Sequence, residues 1–69
     1  MTRKQVIILI QKILKCEMDR ALNVYENLKY NLYCNNARIK DIKDIQADPY
    51  SDDSIRIIFC DNSDYQQGI

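Results

Sequence analysis

The chain contains no histidine and no tryptophan, and its 69 residues include one glycine and one proline. The missing histidine removes the commonest general base, the Ser-His and Cys-His nucleophile pairs and the most versatile transition-metal ligand. Gly68 alone cannot make a phosphate-cradling loop, which needs several glycines where backbone approaches phosphate. Scarce glycine and proline also mean few chain breaks, so long regular elements are expected. Cys16, Cys34 and Cys60 are odd in number, widely spaced and without a CxxC pair, which favours free thiols over a disulfide framework. Buried, inert thiols in a reducing cytoplasm are the expectation. The early apolar run is interrupted by Gln11 and Lys12, far short of the roughly 20 residues of a membrane span, and no signal-peptide cleavage site follows it.

What is present fits a folded chain: 46% hydrophobic and 29% charged residues. A domain this small buries only about 60% of the surface its unfolded chain exposes, so one domain is the most it can form. With neither a disulfide nor a metal to staple it, a partner chain is the remaining source of stability. The net charge is zero but unevenly spread: residues 1–43 carry nine Lys or Arg against four acids, and residues 44–69 carry Arg56 against six Asp. A neutral total argues against a general nucleic-acid binder, while the basic N-terminal half keeps a small nucleic-acid-binding regulator as the alternative reading.

Thr2 followed by Gln5 is a capping-box pattern, so a helix starts at residue 2 or 3. From there to Cys34 the chain has no Gly, Pro or Ser, and Ile7, Leu14, Met18, Ala21, Tyr25, Leu28 and Leu32 form a helical stripe. A continuous helix to Cys34 would be about 48 Å long, against a radius of gyration of about 11 Å for a compact domain of this length. Two helices with a corner at Lys15 to Asp19 are therefore favoured over one long bent helix, with Asp19 capping the second. A buried strand at VIILI, residues 6–10, is the competing reading, because four of its five residues are β-branched. Ile39, Ile42 and Ile45 recur every three residues, which a strand with a bulge near Asp41 would accommodate. SIRIIFC alternates as a strand, and DPYSDD before it is rich in turn formers. Residues 38–47 and 54–60 are thus expected to pair as an antiparallel hairpin, with a polar, fraying tail at 61–69.

The fold class that follows is α+β, with N-terminal helices packed on a C-terminal β-hairpin. VIILI is apolar on all sides, more than one helix face can bury, so Ile8 and Leu9 are expected to meet a second copy in a homodimer. Asp48, Asp52, Asp53, Asp61 and Asp64 gather around the hairpin, but their spacing matches no calcium loop, and no metal or other cofactor is expected. Tyr30, Tyr33, Tyr50 and Tyr65 fall outside the stripe, and tyrosine is enriched where proteins meet. Tyr30, Tyr33 and Tyr50 are the candidate partner-binding anchors. The expected function is a small cytoplasmic, non-enzymatic protein-binding module acting by stoichiometric binding. Its size and composition suit an inhibitor of a host defence or regulatory protein, carried by a phage or mobile element.

Overall fold

The computed structural model describes residues 1–68. Two helices, α1 (Arg3–Leu14) and α2 (Met18–Cys34), precede a short 3-10 turn at Ile39–Asp41 and three strands, β1 (Ile42–Ala47), β2 (Ser54–Phe59) and β3 (Asp64–Gly68). The strands form an antiparallel meander in the order β1-β2-β3, and the helices pack on one face of it. VIILI is helix, because the capping box that precedes it closes: the Gln5 backbone N–H donates to the Thr2 hydroxyl at 3.2 Å and the Thr2 N–H to the Gln5 side chain at 2.9 Å. Val6, Ile7 and Ile10 turn inward while Ile8 turns out.

The helical stretch breaks at the expected corner without a glycine. Lys15 takes the left-handed conformation, φ 51°, and its N–H donates to the Gln11 carbonyl. Asp19 does not cap α2. Glu17 occupies that position without a side-chain bond, and Asp19 lies one residue inside the first turn, where its charge faces the positive end of the helix dipole. The hairpin of helices brings the radius of gyration to 10.8 Å. Met18, which the helical spacing assigns to the stripe, is 45% exposed because it opens α2 at the corner.

The run of isoleucines every three residues splits into two kinds of structure. Ile39 belongs to the 3-10 turn, and the strand begins only at Ile42. The register shifts between Ile42, opposite Phe59, and Asp44, opposite Ile58, so a bulge lies at Lys43, two residues beyond the expected place. Residues 64–68 do not fray. They pair with β2 from Ser54↔Gly68 to Ile58↔Asp64, because the turn before them is a tight three-residue loop in which Asn62 accepts a φ of 68° and Phe59 N–H meets the Ser63 carbonyl at 2.9 Å.

One layer of core lies between helices and sheet: Val6, Ile7 and Ile10 from α1, Ala21, Val24, Tyr25, Leu28 and Leu32 from α2, and Ile42, Ile45, Ile55 and Ile57 from the strands. Alternation sends Asp44, Gln46, Arg56, Ile58, Asp64 and Gln66 to the opposite, uncovered face. That face is polar except for Ile58 and carries the Arg56–Asp64 pair at 3.8 Å, too exposed to contribute more than about 1 kcal/mol. No helix among the described residues is long and apolar enough to cross a membrane.

Candidate functional site

The exposed apolar and aromatic side chains fall on two helix faces and one loop. On α1, Ile8 is 38% exposed, with Lys4 one turn before it and Lys12 one turn after, both exposed. Leu9 is only half exposed and packs partly on the core. Met1, Gln5, Ile8, Leu9, Ile42 and Lys43 line an open groove of about 490 Å³ between α1 and the edge of β1. Among the described residues the only ion pair is Arg56 with Asp64, and the Asp44 carboxylate at the β1 edge is taken by the Ile45 N–H and the Gln46 amide. Arg3, on another side of α1, lies over the Tyr25 ring, 5.4 Å from its centroid, where the ring quadrupole favours its charge.

On α2, Tyr30 and Tyr33 are 67% and 78% exposed and lie three residues apart, side by side on the helix surface. The third tyrosine does not join them. Tyr50 is in the β1–β2 loop, which adjoins the end of α1 at Ile13 to Lys15. Tyr30 and Tyr33 belong to the last turns of α2, beside the β2–β3 end of the sheet where Leu32 and Asn35 face Ser63 and Tyr65. A strand of six residues separates the two ends, about 20 Å at the rise of extended chain. Tyr65 is half-buried on β3 and donates its hydroxyl to Gln67 at 2.9 Å, so it is a structural residue.

The same topology divides the aspartates. Asp48, Asp52 and Asp53 belong to the β1–β2 end, Asp61 and Asp64 to the other, and no group of three His, Cys, Asp or Glu able to hold a metal occurs among the described residues. Asp48 is instead the organiser of its loop. Its carboxylate accepts from the Ser54 hydroxyl at 2.5 Å, the Gln66 amide at 2.5 Å and the Tyr50 N–H at 2.9 Å, and it is buried. The Ser54 bond first, the Tyr50 bond next and the Arg56 charge last hold its carboxyl below the usual range for aspartate. Asp61 is lowered in the same way by the Ser63 hydroxyl and the Ser63 N–H.

Two of the three cysteines depart from expectation. Cys34 and Cys60 are exposed and Cys16 is half-buried, all three with free thiols. Cys34 closes α2 off the buried stripe, and Cys60 enters the β2–β3 turn instead of continuing the strand. The edge of β1 is partly occupied. Phe59 N–H faces β3 and Cys60 N–H donates to Asp41, so alternation turns Ile45 N–H away from β2, where the Asp44 carboxylate accepts it at 2.9 Å. The Met1 ammonium donates to the Ile42 carbonyl at 2.8 Å. With the bulge at Lys43, these contacts disfavour strand addition at Ile42 to Ile45.

Sequence spacing gave no sign of the Asp48–Ser54–Gln66 network or of buried Gln67, whose amide oxygen accepts from Asn31 and Tyr65, both at 2.9 Å. These side chains meet across three strands and a helix, and only the tertiary fold brings them together. No family model, curated protein or solved structure matches the chain.

Proposed function

We propose that this protein is a non-enzymatic binding module that acts by stoichiometric occupation of a partner protein. The observation that carries the reading is the pair Tyr30 and Tyr33, 67% and 78% exposed on a helix whose inner face is locked into the core. Aromatic rings on a rigid element present large contact area at low entropic cost, the usual character of interface anchors. Tyr50, at the far end of the sheet, belongs to a separate contact or to none. The buried aspartate and glutamine are hydrogen-bonded within the fold. Free thiols suit a reducing cytoplasm, and an inhibitor from a phage or mobile element remains the biological setting that fits a module of this size.

A homodimer through Ile8 and Leu9 is opposed by charge. An isologous contact centred on Ile8 brings Lys4 and Lys12 of one copy toward the same residues of the other, and like charges oppose it. The competing reading, phosphate binding by the basic half, is supported by the cations of α1, none of which has a carboxylate partner among the described residues.

Affinity capture from the source organism, followed by sedimentation of the purified pair, tests the proposal. A complex of fixed stoichiometry is expected whose affinity drops at least tenfold on Tyr30→Ala with Tyr33→Ala, the effect of losing one or more anchors. Binding that collapses between low and physiological salt and survives the tyrosine changes would favour nucleic acid instead.

A further inference from the structure

We propose that the groove between α1 and β1 docks an acidic helical segment of a partner protein, with one apolar side chain seated on Ile8 and Leu9 and carboxylates meeting Lys4, Lys12 and Lys43. This rests on the binding-module reading and names the chemistry of the partner. Met1, Ile8, Leu9 and Ile42 give the groove an apolar lining with Gln5 and Lys43 beside them, and Lys4 and Lys12, outside the lining itself, lie exposed one helical turn on either side of Ile8. Residues 1–16 contain four Lys or Arg and no acid. Among the described residues none of these cations, nor Lys43, has a carboxylate partner, although the Lys43 ammonium donates to Asn62 at 3.2 Å. The charge is therefore uncompensated around an apolar seat, and the complementary ligand is apolar at its centre and acidic at its margins.

The other occupants fit less well. Phosphate backbones match the lysines, but Ile8 and Leu9 offer neither hydrogen bonds nor a stacking ring to a nucleotide, and α1 has no aromatic residue. For a bilayer surface, the aliphatic face that would insert, Val6, Ile7 and Ile10, is already buried in the core. A second copy meets like charge. Strand addition is disfavoured at Ile42 to Ile45. A helix laid in the groove remains, the mode in which an amphipathic segment contributes anchors one turn apart.

The test titrates the full chain, labelled with nitrogen-15, with a synthetic helical peptide carrying a leucine stripe flanked by glutamates. The expected result is amide shifts confined to residues 4–12 and Lys43, weakened about tenfold or more when the peptide's glutamates become glutamine or its leucines serine, a loss of at least one significant contact. Ile8→Ser and the pair Lys4→Gln, Lys12→Gln should each reproduce that loss, the second also flattening the salt dependence; all three positions are exposed, and far-UV circular dichroism verifies the fold. Parallel titrations use phosphatidylserine vesicles and duplex DNA. Shifts confined to α2 around Tyr30 and Tyr33 would overturn this assignment while leaving the binding module standing. Vesicles or DNA binding where the peptide does not would overturn both, and absence of shifts at residues 4–12 with every probe would remove the groove as a docking site.

Discussion

Helix α1 turns Lys4, Ile8 and Lys12 to solvent, cationic and aliphatic with no acid nearby in sequence, whereas α2 turns out Glu26, Lys29, Tyr30 and Tyr33, balanced in charge and aromatic. Their inner faces are alike. Each contributes side chains to the one core cluster it shares with Ile42, Ile45, Ile55 and Ile57 of the sheet. The outer faces take no part in that packing, and they differ in charge and in aromatic content. A charged rim governs approach and orientation through long-range attraction, while aromatic side chains supply contact area once a partner has arrived.

The contrast between inner and outer faces is broken most sharply by truncation. Leu28→Ala and Ile10→Ala each remove a fully buried side chain and should cost about 2–5 kcal/mol. A core of this size supplies only roughly 3–5 kcal/mol in total, so either change brings the chain to the edge of unfolding. Ile8→Ala, at a side chain 38% exposed, should stay within about 1 kcal/mol. Urea denaturation separates the two classes. Equal losses at Ile8 and Ile10 would mean that Ile8 is covered in solution, by a second copy or otherwise, and that the outer face of α1 is not free.

A smaller effect distinguishes the helix beginnings. Thr2 and Gln5 satisfy each other's backbone at the start of α1, but Glu17 makes no side-chain cap at the start of α2. Thr2→Ala should therefore lower stability by about 1 kcal/mol, whereas Glu17→Ser should raise it by a similar amount by supplying the missing acceptor. Thermal unfolding reads both, and a loss on Glu17→Ser would show that its carboxylate already serves the helix dipole better than a hydroxyl serves the backbone.

These comparisons also show where sequence pattern carries information. The stripe through Tyr25, Leu28 and Leu32 and the alternation of Ile55, Ile57 and Phe59 identify α2 and β2, because burial repeats with the period of the element. β3 leaves no such trace. Its inward positions are Tyr65 and Gln67, and Gln67 is buried only because Asn31 and Tyr65 satisfy it from elsewhere in the fold. The corner at Lys15 was legible from length alone, since its left-handed residue is not a glycine. Of the candidate site, the exposure of Ile8 follows from an apolar run longer than one helix face. The separation of Tyr50 from Tyr30 and Tyr33 depends on which end of the sheet each reaches, and no local spacing encodes that.

The finest comparison is between the two loops that carry a lowered aspartate. In both, hydrogen bonds from serine favour the ionised carboxylate in the folded chain, so the unfolded chain binds more protons at low pH. Stability from these groups is complete above about pH 4, the ordinary range for aspartate, and is lost as pH falls through their lower folded values. The loops differ in what the carboxylate joins. Asp61 binds Ser63 within its own turn, whereas Asp48 ties β1 to Ser54 at the start of β2 and to Gln66 on β3. Asp48→Asn should consequently flatten the acid limb of a stability-against-pH curve more than Asp61→Asn, because protonation at Asp48 loosens its loop from two strands and at Asp61 only one turn. Urea midpoints measured from about pH 2 to pH 6 give the two slopes. Equal flattening would mean that the contacts to Gln66 and Ser54 add nothing to the ionised form beyond what a single turn provides.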